Sequence, residues 1–100
     1  MKGHLVQMPD GLHPDTAKLV ARFATAMAKK LHLAEKTHGY SNEWMQKDWM
    51  EDCRADLVEH LKKGDPRDVA NYCAFLWRHK EHTAVYALQS VVITGRASDT

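Results

Sequence analysis

One hundred residues with 44% apolar and 27% charged side chains, five Gly and three Pro fit an ordinary globular domain with one modest core, and exclude a disordered or fibrous chain. A formal charge of +1 speaks against a general nucleic-acid binder, whose affinity comes from excess positive charge. No apolar run reaches the roughly 18 residues of a membrane span.

Residues 1–13 contain Gly3, Pro9 and Gly11 without hydrophobic period and are expected to form an arm. Pro14 suits the first position of a helix, with Asp15 and Thr16 in its first turn. Leu19, Val20, Phe23, Met27, Leu31 and Ala34 then recur every three or four residues, the stripe of an amphipathic helix. Gly39 supplies its stop, which predicts a helix over about 14–38. Ser41 opens a short turn carrying Trp44 and Met45. Asp48 and Glu51 then read as a capping box for a second helix that buries Trp49, Met50, Cys53, Leu57, Val58 and Leu61.

Lys62 and Lys63 close that helix before Gly64, and Asp65 and Pro66 start another across a tight corner. This third helix, about 66–81, is expected to turn Val69, Tyr72, Cys73, Leu76 and Trp77 inward, with Ala70 and Ala74 allowing close approach. Residues 83–93 fit a helix by Val85, Leu88 and Val92 and a strand by Val91 to Ile93; a short fourth helix is expected, followed by a frayed tail. The expectation is an all-α fold: a compact bundle of three main helices and a short fourth, with the helical domain over 14–83 and residues 84–100 as the terminal element.

Candidate chemistry has to be weighed against plainer uses of the same residues. Seven histidines include His32, Glu35 and His38 as H-x2-E-x2-H, and His79 and His82 as H-x2-H. At 100° per residue the outer pair of the first set diverges too far to clasp one ion, so solvated histidines are expected and no metal. Cys53 and Cys73 fall on apolar faces and read as small core residues with free thiols, consistent with a reducing cytosol and with the absence of an apolar leader after Met1. No catalytic triad order, phosphate loop or CxxC pair occurs, and no cofactor is expected.

Charge is unevenly distributed: residues 1–40 carry six Lys/Arg against three Asp/Glu, whereas residues 41–83 carry seven against nine. Asp52, Asp56 and Glu59 share one face of the second helix, and Lys18, Arg22, Lys29 and Lys36 share one face of the first. The bland account is two solvated faces; the sharper one is that the acidic stripe docks on an Arg/Lys-lined groove of a partner. Tyr40 and Trp44, in the connection between helices, are the aromatic residues expected to be partly exposed and to join such a contact.

The blocks HGYS and GDPRDVANYCAFLW, within residues 20–83, resemble a family of small helical proteins encoded by phages and prophages of proteobacteria. In some relatives a similar module lies beside a MazG-like dATP/dGTP pyrophosphohydrolase domain. Asp48-x-x-Glu51 and Asp65-x-x-Asp68 loosely resemble the acidic pairs with which MazG-like enzymes hold Mg²⁺, although Asp48 and Asp65 are expected to serve as helix caps. The family continues His-His-Gly-Trp-Ser/Thr where this chain has Arg78-His79-Lys80-Glu81-His82-Thr83, a departure that removes a glycine and an aromatic. The resemblance supplies a structural motif and no catalytic residue.

In size and character the chain is also similar to anti-CRISPR proteins. The expectation is a non-enzymatic protein in the cytoplasm of a bacterial host. It binds a host defence complex, a type I CRISPR-Cas surveillance complex, through Tyr40, Trp44, Asp52, Asp56 and Glu59, without sequence-specific nucleic-acid binding, membrane contact or cofactor. A homodimer through residues 86–93 and a Mg²⁺-dependent MazG-like role are the further readings.

Overall fold

The computed structural model describes residues 4–84, whose regular structure is entirely helical: α1 over Pro14–His38, two single 3₁₀ turns at Glu43–Met45 and Lys47–Trp49, α2 over Met50–Lys63 and α3 over Pro66–Arg78. The all-α expectation holds, with the three main helices in place. The fourth element lies outside the described residues apart from its first two positions. None of the described helices is long and apolar enough to cross a membrane. The chain divides into two compact units, Met1–Tyr40 and Ser41–Thr100.

In the first unit the ends of α1 fall where the local signals put them. Pro14 opens the helix, and the backbone N–H of Asp15 donates to Nδ1 of His13 at 3.0 Å, so a histidine ring fills the capping role usually taken by Ser or Asp. Gly39 closes the helix at φ 73°, its N–H donating to the Glu35 carbonyl at 2.9 Å, with Lys36 and His38 in the negative last turn. The preceding arm holds a turn in which the Leu12 N–H reaches the Pro9 carbonyl, with Gly11 at φ 90°. No residue of α1 is fully buried, and Leu19 and Leu33 are 66% and 57% exposed.

The second unit is a helical hairpin. Gly64 leaves α2 at φ 96°, donating to the His60 carbonyl at 3.0 Å. Asp65 then caps α3: its Oδ1 accepts from the Arg67 N–H at 2.9 Å, and the Arg67 side chain returns to the same carboxylate at 3.1 and 2.7 Å. The corner Gly64-Asp65-Pro66-Arg67 is therefore occupied by its own capping. Met50, Cys53 and Leu57 of α2, at i, i+3 and i+7, meet Leu76 of α3 in the core. Burying a leucine side chain of this kind is worth about 2 kcal/mol. Trp49, Val69, Tyr72, Cys73 and Phe75 pack around that centre.

Phe75 is the aromatic hub. Trp44 stacks on it at 6.2 Å between centroids, Trp49 tilts against it at 5.6 Å, and Tyr72 meets it edge-on at 5.9 Å. The two tryptophan contacts with this ring, each worth about 1 kcal/mol beyond the area they bury, fix the 3₁₀ turns onto the outer end of the hairpin.

Three expectations for this unit are overturned. Asp48 does not cap α2: it lies inside the second 3₁₀ turn, Trp49 takes the preceding position without a side-chain cap, and Glu51 turns to Arg54. Trp77 does not point inward but stands 79% exposed, because Phe75 and Leu76 already fill the side facing α2. Leu61, in the last turn of α2, is 58% exposed, since the core lies nearer the start of that helix.

Candidate interaction site

On α2 the periodicity separates two chemistries. Met50, Cys53, Arg54 and Leu57 are buried, while Asp52, Asp56 and Glu59 are exposed on the far side of the same turns. Glu59 has Lys62 at 3.4 Å, and Asp52 and Asp56 enter no ion pair among the described residues. Of the two aromatic candidates, Tyr40 is 58% exposed beside the His38 ring at 5.3 Å and belongs to the first unit. Trp44 is half-buried by its stack on Phe75 and belongs to the second.

A second polar constellation was not foreseen. The Arg54 guanidinium is buried at 6% exposure; Nη1 donates to Glu81 Oε1 at 2.9 Å and to the His82 carbonyl at 3.3 Å, and Nη2 donates to Glu51 Oε2 at 2.6 Å. Lys47 adds Nζ to Glu81 Oε2 at 3.2 Å and to the His79 carbonyl at 3.5 Å. Nε2 of His79 lies 2.7 Å from the Trp44 carbonyl. Hydrogen bonds from Arg54 and then Lys47 hold the Glu81 carboxyl below the ordinary carboxylate range. Nothing in the local pattern marks this cluster, because its partners lie 27 and 34 positions apart in the sequence (54 to 81, 47 to 81).

The turn that closes α3, His79-Lys80-Glu81, lies in this cluster. Lys80 has φ 60°, and it completes a Schellman closure of α3 in which the Lys80 N–H donates to Trp77 and the Glu81 N–H to Leu76, at 3.0 and 2.9 Å. Lys80 is the one non-glycine residue at positive φ among the described residues. Glu81 provides the carboxylate that Arg54 holds.

No family model, curated protein or solved structure matches this chain.

The four carboxylates of the Mg²⁺ reading are not gathered. Asp48 is exposed, Glu51 holds Arg54, Asp65 is taken by capping and Arg67, and Asp68 lies 3.6 Å from Nδ1 of His60. Among the described residues no group of three or more His, Cys, Asp or Glu is placed to hold a metal ion. His32 and His38 are exposed as expected, whereas His60 and His79 are partly buried, His60 against the Tyr72 ring at 4.9 Å. Burial pushes the Cys53 thiol up to about 11 and raises that of Cys73 as well, so neither is poised as a nucleophile. The Cys53 thiol donates weakly to the Tyr72 carbonyl at 3.8 Å.

Proposed function

We propose that this protein acts by binding, and that Asp52, Asp56 and Glu59 form the face it presents to a basic surface of a macromolecular partner. The observation that supports this reading is the division of labour on α2. One side of the helix is spent on the core, and the other keeps three carboxylates in water, two of them without an ionic partner among the described residues. Such a stripe speeds and orients association with a positively charged groove. The finer proposal is a mobile-element protein of anti-CRISPR type, occupying the nucleic-acid path of a type I surveillance complex in a bacterial host, with half-buried Trp44, in the same unit as the three carboxylates, as the aromatic candidate for the contact. The test is target-DNA binding by the purified complex. The protein reduces it, and the variant with Asp52, Asp56 and Glu59 all changed to Lys does not, while keeping its melting temperature. Equal inhibition by that variant would end the proposal.

A second reading is an accessory module to MazG-like nucleotide pyrophosphohydrolases. It is favoured by the corner Gly64–Asp68, where the residues that carry the family resemblance serve the hairpin itself: a shared scaffold, with the chemistry supplied by a neighbouring domain. On either reading the isolated chain releases no pyrophosphate from dNTPs and Mg²⁺. Release that is lost on substituting Glu51 and Asp68 would make it an enzyme and overturn both.

A further inference from the structure

The two cysteines of the chain share the core between α2 and α3. Cys53 is fully buried at its centre, and Cys73 packs against that centre while staying half-buried, so solvent reaches one thiol and not the other. The Cys53 sulfur lies 3.8 Å from the carbonyl oxygen of Tyr72, the residue that precedes Cys73. A planar trans peptide puts that oxygen about 2.8 Å from the Cys73 Cα, so the Cys53 sulfur stands no more than roughly 6.6 Å from the same Cα. Within a disulfide the corresponding span is about 4 Å. Rotation of the thiols about χ1 between staggered positions covers the difference of about 2–3 Å. The two sulfurs already sense each other, since charge on Cys73 is among the causes that hold the Cys53 thiol up.

We propose that Cys53 and Cys73 form an oxidation site, which a peroxide closes into a disulfide that staples α2 to α3. The Cys73 thiolate, the one solvent can reach, attacks one oxygen of hydrogen peroxide; the O–O bond breaks, hydroxide leaves and Cys73 becomes a sulfenic acid. The Cys53 thiolate then attacks the Cys73 sulfur, and the S–S bond forms as the S–O bond breaks with loss of a second hydroxide. The two thiol protons neutralise the two hydroxides. Two thiols and one peroxide thus become one disulfide and two waters, the sulfurs giving up the two electrons that the peroxide gains. Burial raises both thiols above their ordinary range, so each step draws on a small thiolate fraction and closure takes minutes to hours. A small thiol reductant reopens the bond by exchange.

Closure encloses a loop of 20 residues, from 53 to 73, that contains the corner of the hairpin. In the chain-entropy account a loop of that size lowers the unfolding equilibrium by about a hundredfold, equivalent to a rise in Tm of about 10 °C for a domain of this size. The site is separate from the proposed acidic contact: Asp52, Asp56 and Glu59 lie on the exposed side of α2 and stay there in either redox state.

The test is exposure of the whole chain to hydrogen peroxide at pH 8, followed by denaturation, alkylation of remaining thiols and peptide mapping. The expected result is a monomer in which neither cysteine is alkylated and the peptides holding Cys53 and Cys73 are joined, with a Tm about 10 °C above the reduced protein that falls back after treatment with dithiothreitol. Cys53→Ala stops at the sulfenic acid, which dimedone traps on Cys73; Cys73→Ala leaves Cys53 reduced and alkylated only after denaturation. Circular dichroism confirms that both variants stay helical, and the wild-type map stands by itself if either does not. Two thiols still alkylated in the oxidised wild type, disulfides that join separate chains, or an internal disulfide that fails to raise Tm overturns the proposal.

Discussion

Replacing Lys80 by glycine removes a Cβ from a backbone position at φ 60°, where an L-residue sits at a cost of about 1–2 kcal/mol. The substitution also frees the unfolded chain, which returns about 0.4–1 kcal/mol to the unfolded side. Lys80 is exposed and its side chain makes no described contact, so little else changes. The balance is a stabilisation of about 0.5–1 kcal/mol, equivalent to a rise in Tm of about 2–8 °C for a domain of this size. Urea unfolding followed by circular dichroism measures it as a higher midpoint at unchanged slope. Lys80→Ala is the control: it keeps the Cβ and so stays near wild type. If Lys80→Gly and Lys80→Ala shift the midpoint equally, the strain assigned to this turn is absent and the Schellman closure contributes nothing that depends on handedness.

Arg54→Met keeps most of the aliphatic volume but leaves Glu81 facing Lys47 alone, and is expected to cost about 2–3 kcal/mol in chemical denaturation, with Glu81→Gln added to it recovering part of the loss. Because Arg54 and Lys47 lower the folded-state pKa of Glu81, its contribution is complete at neutral pH and is lost as the pH falls from about 4.3 through the lower folded value; a pH series of melting curves should show an acid loss of order 1 kcal/mol that Glu81→Gln lacks. With the Cys53 thiol near 11, only about one molecule in a thousand carries its thiolate at pH 8, so a colorimetric disulfide reagent should leave Cys53 unmodified until denaturant is added; rapid labelling of the native protein would contradict the burial.

The helix ends were legible because their signals are local. Gly39 and Gly64 sit at positive φ, Pro14 and Pro66 open helices, and Asp65 caps its own next turn, each readable within four or five residues. Asp48 misled for the same reason: the D-x-x-E spacing is sound, but Trp44 and Trp49 are drawn onto Phe75, and that tertiary attraction winds the backbone into 3₁₀ turns which displace the cap. Trp77 was misplaced because it follows Cys73 by four positions and so reads as in phase with the core stripe, whereas that stripe is centred on Val69, Tyr72 and Leu76 and leaves position 77 beyond its edge. The acidic stripe of α2 could be found, since exposed carboxylates alternate there with a buried stripe. The Arg54 cluster could not, because an arginine among carboxylates on a helix looks solvated until the segment after α3 comes back over it.

That return closes the hairpin at the end opposite Gly64. A two-helix unit joined only by its corner unzips from its loose ends, as frayed termini do. Here the loose ends are tethered, Lys47 and Arg54 on one arm to residues 79–82 on the other. Amide exchange in the outer turns of α2 and α3 should therefore be nearly as slow as at Cys53 and Leu76, and opening should pass through breakage of the charged clasp rather than a gradual peeling of the helices.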